Sequence, residues 1–86
     1  MDFEFDEAKS HSNNIKHGID FLNAQKLWED PYCMIIPARN VDEPRFLIIA
    51  RIGNEIWSAI YTLRGKVIRI ISVRRSRQNE KELYKR

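Results

Sequence analysis

The side chains of this sequence that could act on a substrate are arginines near its C-terminal end, accompanied by a few groups that can carry a proton. The arginines are Arg64, Arg69, Arg74, Arg75 and Arg77, and the possible proton carriers are Lys9, His17, Glu80 and Tyr84. Such a set suits the cleavage of RNA by its own 2′-hydroxyl. In that reaction a protein needs only to place the phosphate, stabilise added negative charge and move protons.

The same residue types also allow other interpretations. A nucleic-acid-binding module without catalytic activity would carry similar arginines. Arg69 stands between two isoleucine-rich halves of the stretch YTLRGKVIRIISVRRSR. Because an unpaired guanidinium is costly to bury, Arg69 either receives an anion or forms an ion pair with an acidic residue such as Glu4. His17 ends a predicted helix, where the helix dipole alone favours a cationic imidazole, and His11 is expected to be exposed.

The charge of the chain is strongly asymmetric. Residues 1–63 contain six basic and ten acidic residues, a net charge of −4, whereas residues 64–86 contain nine basic and two acidic residues, a net charge of +7. A basic end of this kind fits a surface that binds a polyanion, since each neutralised phosphate releases counterions. A solvated basic helix would show the same charge.

Several classes of function are disfavoured by what the sequence contains. The only cysteine, Cys33, can form neither an internal disulfide nor a cysteine zinc site, and the two histidines lack metal-ligand spacing with a carboxylate. The three glycines are isolated turn residues, which excludes a phosphate-binding P-loop. We therefore expect no metal or other cofactor. The acidic start MDFEFDEAKS and the lack of a long apolar run predict a cytoplasmic protein without membrane contact.

The hydrophobic pattern predicts one α+β domain over residues 1–86. After a short extended piece, Phe3–Phe5, Asp6 and Asp20 are expected to cap helices through EAKSHSNNIKH and FLNAQKLW. Four strands follow, YCMIIPA, RFLIIARI, EIWSAIYTL and KVIRIISVRR, as an antiparallel meander. Ser76 is expected to cap a final helix through RQNEKELYKR, with Leu83 facing inward.

Two-residue turns at Gly53-Asn54 and Arg64-Gly65 would assign the faces of this meander. One face then carries the even residues 46–52, the odd residues 57–61 and the even residues 68–72, and the helices should cover this apolar surface. The opposite face carries Arg45, Ser58, Thr62, Arg69 and the odd residues up to 75. Because that face mixes apolar and cationic groups, we expect a ligand or a partner to cover it.

Sequence fragments spread over nearly the whole chain resemble the BrnT family of bacterial type II toxins. The matching fragments are FEFDEAK, KHGIDF, LWEDP, RF before a strand, YTLRGKVIRIISVRRSR and the closing NEKELYKR. The resemblance implies a RelE-like fold and a metal-independent ribonuclease that inhibits translation and growth. By position it makes Arg64, Arg69 and Arg74 the expected phosphate clamps, with His17 and Lys9 in the other matched segments.

The same resemblance implies partners. It predicts a neutralising BrnA-like antitoxin with a ribbon-helix-helix part, and a complex that represses its own operon with the antitoxin making the DNA contacts. From residues and resemblance together, the expected catalytic residues are His17, Arg64, Arg69 and Lys9. The expected RNA-binding residues are Arg74, Arg75, Arg77, Glu80 and Tyr84.

Overall fold

A computed structural model describes residues 1–39 and 42–85 as an α+β fold. The strands are β1 (Asp2–Glu4), β2 (Met34–Pro37), β3 (Arg45–Ile52), β4 (Glu55–Arg64) and β5 (Val67–Arg75). The helices are α1 (Glu7–His17), α2 (Phe21–Ala24), a 3-10 helix (Gln25–Glu29) and α3 (Gln78–Tyr84). None of the helices in the described ranges has the length and apolar character needed to span a membrane.

The two predicted caps explain where the N-terminal helices begin. The Asp6 side chain accepts a hydrogen bond from the Lys9 amide at 3.1 Å, and Gly18, with a φ of 80°, ends α1 in the left-handed conformation. Asp20 likewise accepts from the Asn23 amide at 2.8 Å. The second helix differs from its prediction, because after one turn of α-helix the chain continues as the tighter 3-10 helix.

The sheet has five strands rather than the four predicted, in the order β1-β5-β4-β3-β2. The four expected strands do form an antiparallel meander. The correction is β1, which pairs parallel with β5 and makes the sheet mixed. A three-residue strand is too short to show a period, and its partner lies more than 60 residues away, so local pattern could not reveal this pairing.

The register of β4 and β5 also corrects the face assignment. The second hairpin turn is Gly65-Lys66, not Arg64-Gly65, since Arg64 pairs with Val67. A β-bulge then places two residues of β5 against one of β4, because Ile60 pairs with Ser72 and Tyr61 with Ile70. Beyond this bulge the alternation is reversed: Ser72 lies on the face predicted to be cationic, whereas Val73 and Arg75 lie on the face covered by the N-terminal helices.

Helices cover both faces, which corrects the prediction that they cover only one. The first face, defined as the face that packs on the N-terminal helices, buries Phe21, Ala24 and Leu27 of those helices in the main core. The second face, the opposite one, has a smaller core of Leu47, Ile49 and Ile56. Leu83 and Tyr84 of α3 pack against it, so Leu83 does face inward, but toward the second face.

Candidate functional site

Arg69 lies on the second face and forms an ion pair with Glu4. Its Nη1 donates a hydrogen bond to Glu4 Oε2 at 2.7 Å, and the two residues stand opposite each other in the parallel β1–β5 pair. The ion-pair alternative raised by the sequence is therefore present. The pair is only half-buried, with the side chains 27% and 38% exposed. Since a guanidinium has five N–H donors, four have no partner within the described residues.

Two further polar residues lie beside Arg69 across the neighbouring strands. Arg69 pairs with Thr62 on β4, and Thr62 pairs with Arg45 on β3. Thr62 is buried and donates its hydroxyl to the Pro44 carbonyl at 2.7 Å. Two strand spacings separate the two arginines, so their Cα atoms are about 10 Å apart on one face. The expected grouping of Arg69 with Thr62 and Arg45 is confirmed, whereas Ser58, expected in the same group, instead pairs with Arg74 and bonds Glu80.

Arg74 and Glu80, both predicted to bind RNA, form a two-point ion pair with each other. Arg74 Nη1 and Nη2 donate to the two Glu80 carboxylate oxygens at 2.7 and 2.9 Å. The same carboxylate accepts from the Ser58 hydroxyl at 2.9 Å and the Arg77 amide at 2.8 Å. The hydrogen bonds from Arg74, ahead of the other contacts, lower the pKa of Glu80 to about 2.

This carboxylate therefore holds α3 onto the second face. The predicted cap, Ser76, is wrong: Arg77 is the N-cap residue, and the Ser76 hydroxyl instead lies 2.8 Å from the hydroxyl of Ser58. Glu80 takes the capping role by accepting the Arg77 amide. Glu80 and Arg74 thus have a structural function that the sequence pattern did not indicate.

Arg75 lies on the first face, because of the bulge. Its guanidinium lies over the Trp57 ring at 5.1 Å and donates to Glu55 Oε2 at 2.6 Å. Arg64 and Arg77 are exposed, at the hairpin end of β4 and at the start of α3 respectively. The five predicted arginines are therefore divided between the two faces, the hairpin end and the start of α3.

Lys9 and His17 lie on α1, which Asn13 joins to β5. Asn13 Nδ2 donates to the Val73 carbonyl at 2.9 Å, and the Val73 amide donates to Asn13 Oδ1 at 3.2 Å. Positions 9, 13 and 17 form one stripe along the helix, at intervals of four residues. Lys9, exposed, and His17, half-buried, therefore flank the contact between α1 and the edge of β5.

A second hydrogen-bonded group, centred on Asp30, was not singled out in the sequence. Asp30 Oδ2 accepts from the Tyr84 hydroxyl at 2.6 Å and the Arg51 amide at 2.9 Å, while Oδ1 accepts from the Tyr32 amide at 2.9 Å. Burial raises the pKa of Asp30, but these hydrogen bonds outweigh it and the net shift is downward. Burial and the bond to Asp30 raise the pKa of Tyr84.

In the sequence, Asp30 stood out only as part of the fragment LWEDP. The signal that could have indicated more is the Asp-Pro-Tyr order, since an aspartate often bonds the amide two residues ahead. The contacts of Asp30 to Arg51 and Tyr84 span 21 and 54 residues, which no local pattern reports. Within residues 1–39 and 42–85, no group of three His, Cys, Asp or Glu side chains is placed to hold a metal ion.

Comparison with protein families identifies a match over most of the chain. The model of a family described as "Ribonuclease toxin, BrnT, of type II toxin-antitoxin system" matches residues 5–80, which is most of the chain and includes the paired residues Arg69, Arg74 and Glu80. No curated protein matches the sequence.

Proposed function

Because the chain belongs to the BrnT family of ribonuclease toxins of type II toxin–antitoxin systems, we propose that it cuts RNA without a metal ion. In this mechanism the 2′-oxygen of one nucleotide attacks the adjacent phosphorus, and the bond from phosphorus to the 5′-oxygen of the next nucleotide breaks. The products carry a cyclic phosphate and a 5′-hydroxyl. The protein supplies placement, positive charge and proton transfer.

This proposal rests on the hydrogen bonding and exposure of the Arg69 guanidinium. Glu4 holds the guanidinium through one N–H group, while the remaining donors are left for an anion at a half-exposed position. A guanidinium presents its donors as a planar fork that matches two phosphate oxygens. Arg69 therefore binds the phosphate that is attacked and stabilises the negative charge that develops on its oxygens. Arg64, at the exposed end of β4, adds a second cation.

Proton transfer falls to the two residues on α1. Lys9 and His17 flank the contact of Asn13 with Val73 at the edge of β5. The residues on either side of Val73, Ser72 and Arg74, lie on the second face. One of the two α1 groups accepts the proton of the attacking 2′-hydroxyl, and the other donates a proton to the departing 5′-oxygen.

The residues at the start of α3 extend the RNA-binding surface. Arg77 is exposed, and Arg75 is exposed beside Trp57, so both are available to neighbouring phosphates. Arg74 remains 28% exposed while bonded to Glu80 and contacts RNA with its outward edge. In this proposal Glu80 orients Arg74 and fixes α3, and Tyr84 offers its ring to the RNA.

A type II family implies an antitoxin partner. We propose that this partner is BrnA-like, with a ribbon-helix-helix part that makes the contacts to operator DNA, and that the complex represses its own operon. By covering the second face, the antitoxin would block access to Arg69. The free toxin acts in the cytoplasm, where RNA cleavage stops translation and growth.

The test is the chemistry of the cleavage products. Purified protein incubated with RNA in EDTA should give 5′-hydroxyl ends and cyclic or 3′-phosphate ends. An RNA with 2′-deoxyribose at the cut position should stay intact, since it lacks the nucleophile. Cleavage that needs added metal and leaves 5′-phosphates would contradict the mechanism. Intact RNA at high protein concentration would support the alternative, a non-catalytic module that binds nucleic acid or a partner within a repressor complex.

A further inference from the structure

A cavity of about 550 Å³ opens on the second face, where β2, the end of β3 and the end of α3 meet. It is lined by Tyr32, Met34, Arg51, Tyr84 and Lys85. Its volume lies within the range of small-ligand sites. Two aromatic rings, a thioether and two cations are the groups that bind a flat, apolar base joined to an anion.

The aromatic residues are held by the same carboxylate. Asp30 accepts from the backbone amide of Tyr32 and from the hydroxyl of Tyr84. The Tyr32 side chain is 77% exposed, and it takes part in no hydrogen bond or ring contact among the described residues. An exposed tyrosine on a fixed backbone can stack on a base at a low entropic cost, because only its side chain has to be ordered when the base binds.

The two cations in the cavity wall have no ion-pair partner within the part of the chain that the structure describes. The Arg51 guanidinium lies 5.9 Å from the centre of the Tyr84 ring, and its charge adds to that of Lys85. This differs from Arg69, Arg74 and Arg75, each of which is bonded to a glutamate. The Asp30 carboxylate, which accepts from the Arg51 amide and interacts with the Arg51 charge, offsets part of this positive charge. With Lys85 included, the cavity still combines aromatic surface with a net positive charge, as a nucleotide requires.

We propose that this cavity binds one nucleotide of single-stranded RNA, with the base stacked on Tyr32 and its phosphate contacted by Arg51 and Lys85. The inference rests on the proposed ribonuclease function and adds a substrate subsite to it. Arg51 and Arg45 are six residues apart on β3, about 20 Å along the strand. The bound nucleotide is thus remote from the phosphate at Arg69, and the cavity contributes to the choice of cleavage position rather than to the chemistry.

The test uses a fluorescent single-stranded oligonucleotide of about eight nucleotides, a length typical of single-strand sites. All its 2′-oxygens are methylated, so it cannot be cut and binding is measured whether or not the protein cleaves RNA. Fluorescence anisotropy should show that Tyr32→Ala weakens binding by about 5- to 150-fold, the range of one lost base stack. Tyr32→Phe keeps the ring and should bind like the parent. Leu22→Ala, which removes another exposed hydrophobic side chain, on α2, is the control.

The salt dependence separates stacking from charge. Lys85→Gln should lower the slope of log affinity against log salt by about 0.7, the value for one phosphate contact on a single strand, while Lys16→Gln on α1 should not. Tyr32→Ala should leave the slope unchanged. Equal binding by Tyr32→Ala and the parent overturns the subsite even if the parent cleaves natural RNA.

Two other outcomes are also decisive. If Tyr32→Ala loses antitoxin binding but keeps oligonucleotide binding, the cavity is a protein-docking site and the inference is wrong. If the parent protein binds the oligonucleotide but fails to cleave natural RNA, and Tyr32→Ala still weakens that binding, the subsite is supported while the proposed catalysis is rejected.

Discussion

Asn13 of α1 makes two hydrogen bonds with the backbone of Val73, and so takes the place of a neighbouring strand at the edge of β5. Strand β1 pairs only with Val67–Arg69, which leaves the later part of β5 without a strand partner on that side. A buried backbone N–H or C=O must find another partner. A side-chain amide supplies both a donor and an acceptor, and it fixes the helix that carries Lys9 and His17.

Removal of the Asn13 amide should destabilise the fold. Asn13→Ala would leave the Val73 amide and two carbonyls, those of Val73 and Ile19, without their bonds. We expect a loss of about 2–3 kcal/mol in the free energy of unfolding, measured by urea denaturation. Asn14→Ala, at an exposed neighbouring position, should change stability by less than about 0.5 kcal/mol. Equal stabilities of the two variants would show that the edge contact contributes little.

The two histidines of α1 offer a matched test of proton transfer. His17→Gln should reduce the single-turnover rate of RNA cleavage by about 10²-fold or more, the usual contribution of a positioned acid or base. His11→Gln changes an exposed histidine on the same helix and should cleave like the parent. Thermal melting of both variants checks that they fold. If His17→Gln retains the full rate, His17 takes no part in proton transfer.

The role of Arg69 can be separated from its ion pair. Arg69→Lys keeps the charge but loses the planar fork, so cleavage should fall, and Arg69→Ala should lose about 10²-fold or more. Because the Glu4 pair is half-exposed, its loss should cost only about 1 kcal/mol or less.

Glu4→Gln is the control for this pair. It breaks the ion pair and leaves the guanidinium, so most of the cleavage rate should remain. A large drop in the melting temperature of Arg69→Ala, or an unchanged cleavage rate, would remove Arg69 from the site.

The pKa of Glu80 predicts a stability change at low pH. Its folded pKa of about 2 lies below the ordinary value of 4.5. Stability from this carboxylate is therefore complete above about pH 4.5 and is lost as the pH falls through 2. The contribution is on the order of 3 kcal/mol.

Urea denaturation at pH 7 and pH 3 measures this effect. Glu80→Gln should be less stable than the parent at pH 7, and the difference should shrink at pH 3. Glu82→Gln, on the exposed side of the same helix, should follow the parent at both values. A constant difference between Glu80→Gln and the parent would show that ionisation of Glu80 is not the source of stability.

Local sequence signals predicted the local structure well. The Asp6 cap, the Asp20 cap and the Gly53-Asn54 turn each depend on residues within a few positions, and all three are confirmed. That Arg69, Thr62 and Arg45 share a face was also predictable, because side chains alternate regularly up to the bulge; the direct pairing of Arg69 with Thr62 was not, because the predicted turn was shifted by one residue. The bulge itself adds one residue without a distinctive sequence, so the faces of Val73 and Arg75 could not be assigned correctly.

The relationships missed are those between distant residues. Glu80 looked like a surface glutamate of a basic helix, and only the fold brings Ser58 and Arg74 to it. The face of the sheet on which α3 packs depends on those bonds. The hydrophobic pattern of the helix alone therefore could not predict that face. The Asp30 group and the parallel pairing of β1 with β5 were missed for the same reason.

The pairing of β1 with β5 affects when the sheet can form during synthesis of the chain. Glu4 and Arg69 are 65 positions apart. At about 5–20 residues per second, a ribosome needs roughly 3–13 seconds to pass from one to the other. During that interval the first strand has no partner in the sheet. The ion pair between Glu4 and Arg69 can therefore form only after β5 has been made.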